Sequence, residues 1–235
     1  MSEVPARSRP TQLDLGSGWR RRAVEGSELV QRAAQKTVEQ AENVIAAARI
    51  LYYETSGAPF TIAQLIEKAG ISQQTFYRYF RSKDELLLAL LEEYLLDLSQ
   101  RARADCERLA DPLMRLSAAI RWPFTYIADP GNVAYRGLIT HEHLRLSIEY
   151  PKGVRTAAMP QQLLLRDFIL AAVAAGELPA SAGADSSRLA SYITGLMTNQ
   201  AHSITLGLDQ SDPAELADNL VRFCLAGLGA KSSGR

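Results

Sequence analysis

The sequence predicts an all-α protein with a three-helix helix-turn-helix unit near the N-terminus, joined by a long helix to a larger helical C-terminal part. Three observations carry this expectation. Residues 60–87 read FTIAQLIEKAGISQQTFYRYFRSKDELL, two short helical segments joined by Ala69-Gly70-Ile71 and followed by a helix opened by Ser82. Apolar residues upstream recur at three- and four-residue steps, and downstream the chain keeps supplying helix caps and few strand signals.

The elements follow in order. Residues 1–26 are rich in Ser, Gly, Pro and Arg and lack an apolar period, which reads as a flexible basic arm. Its arginines, Arg7, Arg9, Arg20, Arg21 and Arg22, suit either a DNA minor groove or a solvated tail. From 27 to 55, Val38, Ala41, Val44, Ile45, Ala48, Leu51 and Tyr52 form one helical stripe, ended by Gly57 and Pro59. Thr61 with Gln64 makes a capping box for the next helix, whose Ile62, Leu65 and Ile66 face inward, and Gly70 suits a left-handed stop. Ser72 caps a very short third helix containing Phe76. Ser82 opens the fourth, through the capping box Ser82-Lys83-Asp84-Glu85, and it runs to about Arg108.

Beyond it, Asp111-Pro112 and Asp212-Pro213 are cap-plus-proline helix starts, while Asp129-Pro130-Gly131 and Tyr150-Pro151 break helices. Helices are expected over 163–175, 189–206 and 213–228, with a loop over 180–187. The predicted organisation is an arm (1–26), a DNA-binding domain (27–85) and a helical C-terminal domain (86–230).

The chain has 235 residues and no net charge, so no global field draws it to nucleic acid, but Lys68, Arg78, Arg81 and Lys83 occur with no acid between them. The two cysteines, Cys106 and Cys224, read as reduced buried thiols. The polar N-terminus and the interruption of residues 86–91 by Glu92, Glu93 and Asp97 predict a cytoplasmic protein outside the membrane. No Ser/His/Asp arrangement, carboxylate pair or glycine-rich phosphate loop is present, so the expectation is a non-enzyme without cofactor. His141, Glu142 and His143 suggest a metal site only superficially, since helical residues two apart point about 200° apart. His202 reads as structural.

Residues 72–80 are what a merely structural hairpin fails to explain. Gln73, Gln74, Thr75, Tyr77, Arg78 and Tyr79 crowd around the anchors Phe76 and Phe80. Gln pairs with an adenine edge, Thr packs on a thymine methyl and Arg reads guanine, each good bidentate contact giving about 1–3 kcal/mol of discrimination. Ser72, Tyr77 and Tyr79 suit phosphate oxygens, and Lys83 or Thr61 with the free amides at a helix start suits a phosphate clamp. The expected partner is a double-stranded DNA operator.

The run T-I-A-Q-L-I-E-K-A-G-I-S-x-x-T-F-Y-R-Y-F-x-S-K-D-E-L-L resembles the DNA-binding domain of the TetR family of bacterial transcriptional regulators, over about residues 40–91. The resemblance implies a homodimeric regulator whose C-terminal helical domain binds a ligand and dimerises, with Thr75, Tyr77, Tyr79 and Lys83 touching DNA. Many members carry Lys-Gly or a similarly small pair where this chain has Gln73-Gln74, so base preference does not transfer. The arm is also longer than usual. Guided by the resemblance, residues 187–206 (Leu189, Ala190, Ile193, Gly195, Leu196, Met197, Ala201), packed with either 163–175 or 213–228, form half of an expected four-helix dimer interface. Large or polar groups among the apolar helices form the expected ligand site: Tyr94, Trp122, Tyr126, Tyr135, His143, Phe168 and Asn199. A hydrophobic small-molecule effector and a repressor are implied. Two rivals stay open: a DNA-binding regulator without a small-molecule effector, and an all-α scaffold or enzyme with an incidental hairpin.

Overall fold

The computed structural model describes residues 28–230, the side chains of 28–34, 133–135 and 140 excepted. The basic arm, 1–26, lies outside these residues. Helix α1 spans Glu28–Glu54. Its part up to Asn43 belongs to one compact unit and residues 44–235 to a second. The stripe expected from Val38 is buried only from Val44 onward: Val44, Ile45, Ala48, Leu51 and Tyr52 are buried, whereas Val38 is 51% exposed. Amphipathic spacing sets a face, but only a neighbouring element buries it.

The second unit begins within α1 and continues into the helix-turn-helix. After α1 the chain reverses through Ser56 and Gly57, both at positive φ. Helix α2 (Ile62–Ala69) starts on the predicted capping box, with the Thr61 hydroxyl accepting from the Gln64 amide, and stops at Gly70 with φ 64°. Ser72 caps α3 (Gln73–Tyr79), and Ser82 caps α4 (Lys83–Cys106). One detail differs: the Glu85 carboxylate accepts from the Arg81 amide at 2.6 Å, so the box reaches one residue further back. Burial of Leu65, Phe76, Phe80, Leu86 and Leu87 gives the three helices a shared core.

At 24 residues, α4 is about 36 Å long and continues into the C-terminal helices. These are α5 (Pro112–Ala128), a 3₁₀ turn (Pro130–Asn132), α6 (Val133–Leu138), a π-helical turn (Ile139–His143), α7 (Leu144–Glu149), α8 (Pro151–Ala157), α9 (Met159–Ala174), α10 (Ala180–Ala184), α11 (Ser186–Thr205) and α12 (Pro213–Gly227). The α4 helix packs on α5, α8 and α9, while α5 also packs on α9 and α12. Leu116, Ile120, Phe124, Leu165, Ile169, Met197 and Val221 anchor this core, which also encloses Cys106 and Cys224. Burial pushes both thiols up to about 11, so they stay protonated.

Residues 180–187 are not the expected loop. Ala180–Ala184 is helical and Ser186 already begins α11, because Ala182 and Ser186 bury against the core. The start of α9 also moves forward, to Met159, with Pro160 in its first turn, where a missing N–H costs nothing. No strand occurs among the described residues.

Candidate nucleic-acid interface

Helix α3 is fixed from beneath. Phe76 is fully buried and meets Tyr77 edge-on at 5.1 Å and Phe80 at 5.9 Å. That anchoring leaves Gln73, Gln74, Tyr77 and Arg78 exposed, with Thr75 and Tyr79 half-buried. The helix therefore presents amides, a guanidinium and a phenol outward from a rigid base, the chemistry that reads base edges and grips phosphates.

Ser72 and Thr61 act first as caps. Ser72 Oγ accepts from the Thr75 amide at 3.1 Å and lies 2.9 Å from the Thr75 hydroxyl. Thr61 Oγ1 accepts from the Gln64 amide at 3.2 Å, while the Gln64 side chain accepts from the Thr61 amide at 2.8 Å. Of the four clustered cations, Lys68 is paired with Glu54 of α1. Lys83 turns inward: its ammonium is 3.8 Å from Glu142 and 4.9 Å from the centre of the Phe60 ring, with the side chain 26% exposed. Arg78 and Arg81 are exposed.

The expected ligand residues do not form one group. Tyr94 and Tyr126 line an open cleft of ≈ 360 Å³ with Arg49, Asp97 and Arg101. Trp122 stacks on Tyr126 at 5.4 Å and donates its indole N–H to Asp105 at 3.0 Å. Phe168 is core, 4% exposed, with the Arg103 guanidinium 5.8 Å above its ring. The side chain of Tyr135 lies outside the described residues.

His143 of the π-helical turn and Asn199 of α11 line one cleft of ≈ 370 Å³, shared with Arg155, Thr198 and His202. His143 also walls a more enclosed cavity of ≈ 30 Å³ with Leu95, Pro123, Gln161 and Met197. The His143 and His202 rings meet edge-on at 4.9 Å, and His143 Nδ1 and His202 Nε2 are buried without hydrogen bonds. Burial lowers both, His143 to about 4, so the pair is neutral at pH 7. His141 lines a different cleft, of ≈ 620 Å³, beside Gly57 and Arg136. No group of three or more metal-binding side chains occurs among the described residues. Nor is any described helix long and apolar enough to cross a membrane.

Residues 44–90 match the family model of bacterial regulatory proteins of the tetR family. The chain carries the tetR-family DNA-binding domain. It is accordingly a DNA-binding transcriptional regulator rather than an enzyme. The fatty acid metabolism regulator protein of Bacillus subtilis (strain 168) is 21% identical over 171 residues, 72% of this chain and 86% of the relative. The HTH-type transcriptional regulator HbdR of Aromatoleum sp. (strain CIB) is 31% identical over 91 residues, 39% of each chain. Among solved structures, the TetR-family repressor FadR of Thermus thermophilus, in complex with lauroyl-CoA, superposes with a TM-score of 0.65 at 20% identity, covering 83% of this chain and 98% of that one.

The junction between the helix-turn-helix and the C-terminal helices was not expected from the sequence. A Cβ placed on Gly137 of α6 would lie 2.3 Å from the Gly57 carbonyl oxygen, so α6 rests directly on the turn after α1. Arg145 donates to Asp84 at 2.6 Å, to Glu142 at 2.9 Å and to Glu149 at 2.8 Å, and the Tyr150 hydroxyl donates to Asp84 at 3.0 Å. Only the Glu142–Arg145–Glu149 helical spacing was visible in the sequence.

The apolar face of residues 187–206 is largely used within the chain's own core. Ala190, Ile193, Met197 and Ala201 are core, leaving Tyr192, 62% exposed, and Gly195 outward.

Proposed function

We propose that this regulator is a ligand-responsive repressor that binds a near-palindromic operator as a homodimer. Residues 27–85 read DNA, with Gln73, Gln74, Thr75 and Arg78 on bases and Ser72, Thr61, Tyr77, Tyr79 and Lys83 on phosphates. Residues 86–230 sense and dimerise, and α4 belongs to both. Dimerisation through α11 and α12 is supported by Tyr192 and Phe223, which are 62% and 66% exposed on consecutive long helices.

The observation that carries the ligand reading is the histidine-walled cleft joined to an apolar cavity, with His143, Ala158 and Thr198 common to both. Polar groups at a mouth and apolar groups behind it suit an amphipathic ligand. FadR of Thermus thermophilus is described in complex with lauroyl-CoA, and on that likeness the proposed effector is a long-chain acyl thioester. Its chain would enter between Met197 and Leu95, and its polar end would meet Arg155 and Asn199. A cavity of ≈ 30 Å³ holds about one water, so the ligand must part α5 from α11. That small volume is also the one observation favouring the rival, a regulator without a small-molecule effector.

The test is to select an operator from a random DNA pool, then titrate acyl-CoA of increasing chain length while following fluorescence anisotropy. Weakening of operator affinity by about 5–150-fold with long chains is expected, the usual range of allosteric coupling. Unchanged affinity with every chain length removes the acyl-thioester effector and leaves the DNA reading standing.

A further inference from the structure

The side chain expected to clamp a DNA phosphate, Lys83, is held in this structure by a residue of the C-terminal helices. Glu142 is only 6% exposed, yet it is a carboxylate, and a buried charge persists only with partners. Its partners are the Arg145 guanidinium at 2.9 Å and the Lys83 ammonium at 3.8 Å. The Tyr52 hydroxyl of α1 is buried nearby without a hydrogen-bond partner. Burial first, and the Glu142 charge second, push that phenol above its ordinary range. Asp84, next to Lys83, is tied to the same Arg145 at 2.6 Å, and that hydrogen bond holds its carboxyl below the usual carboxylate range.

Glu142 lies in the π-helical turn Ile139–His143, immediately before His143. Such turns are rare and concentrate at functional sites, because one wide turn offers a second arrangement of the backbone. Here Glu142 reaches the start of α4 while His143 meets His202 and the cleft. One peptide bond therefore separates a residue that lines the cleft from the partner of Lys83.

We propose that Glu142 and Lys83 form an autoinhibitory latch, in which the C-terminal helices withhold the ammonium that DNA phosphate requires. Closed, Lys83 sits between Glu142 and the Phe60 ring. Open, it swings out to the phosphate while Arg145 alone compensates Glu142. The latch rests on the proposal that Lys83 contacts phosphate, and the experiment separates the two.

Operator affinity and its salt dependence are measured for Lys83→Met, Glu142→Gln and the double variant of the full chain. Lys83→Met tests the phosphate contact: binding weakens about tenfold and the salt slope falls by about 1. Glu142→Gln tests the latch: binding tightens about fivefold, the scale of a partly buried ion pair, and the gain disappears in the Lys83→Met background. Glu142→Asp, which keeps the buried charge but withdraws it from Lys83, gives a smaller gain and covers the case in which the amide variant folds poorly. If Lys83→Met weakens binding but neither Glu142 variant tightens it, the latch is wrong and the clamp stands. If Lys83→Met changes nothing, the clamp is wrong and the latch goes with it.

Discussion

The helix-turn-helix and the segment from α6 to α8 are both strings of short helices, but they are specified differently. In residues 61–85 each helix carries its own start signal: Thr61, Ser72 and Ser82 each accept from the backbone amide three residues on, and Gly70 supplies the left-handed stop. In residues 133–157 the π turn, α7 and α8 have no side-chain cap hydrogen bond. Their arrangement rests on contacts made at long range, Gly137 on Gly57, Arg145 on Asp84 and His143 on His202. Locally capped helices keep their shape while the body carrying them moves. A segment held by distant contacts changes shape when those contacts change, which is what a transmitting element requires.

The largest expected effect attacks the long-range side of this contrast. Gly137→Ala places a methyl group 2.3 Å from the Gly57 carbonyl oxygen and 2.4 Å from its Cα, and backbone cannot rotate out of the way. A loss of about 3 kcal/mol is expected, at the upper end of overpacking, with operator binding reduced because the turn before α2 is displaced. Denaturant unfolding beside anisotropy checks both. A fully stable variant means that α6 does not press on the turn.

Acid titration comes next. His143 is held at about 4 by burial, first, and by His202, second, against an ordinary 6.5. The unfolded chain therefore binds more protons between those values, and the native state loses stability as pH falls from about 6.5 to 4. The gap caps the loss at about 3 kcal/mol, and partial exposure of the ring reduces it to about 2 kcal/mol. The gap between the stability curves of the protein and of His143→Gln should change by about 2 kcal/mol between pH 4 and 6.5 and stay constant above 6.5. Parallel curves across that window would place the acid sensitivity elsewhere.

The smallest effect probes the local side. Ser72→Ala removes the cap of α3 and should cost about 1 kcal/mol, with little change in the response to effector. Loss of that response alone, at unchanged stability, would show that the reading helix is not locally specified and would erase the contrast.

The same contrast explains what could be read in advance. Thr61, Gly70, Ser72, Ser82 and the Asp-Pro starts at 111–112 and 212–213 were legible because a cap acts within three residues of itself. Phe76 and Phe80 were legible as anchors because a short polar helix leaves few candidates. The described members of the expected ligand set divide between two clefts and the core, since an aromatic on an apolar helix looks the same whether it meets solvent, a cavity or another helix. Residues 180–187 were misread for a related reason. Their Ala, Ser and Gly content resembles a loop until Ala182 and Ser186 find buried places.

The sequence by itself determined that the chain is helical, where most helices start and stop, and that residues 72–81 carry amide, hydroxyl, phenol and guanidinium groups around two aromatic anchors. These depend on torsional preference, capping and spacing, all of which act over a few residues. Only the tertiary structure decided that Lys83 faces Glu142, that the apolar face of α11 belongs to the chain's own core, and that His143 meets His202. Each of those pairs residues far apart in the chain, and no local rule fixes which buried charge or ring a folded chain brings beside another.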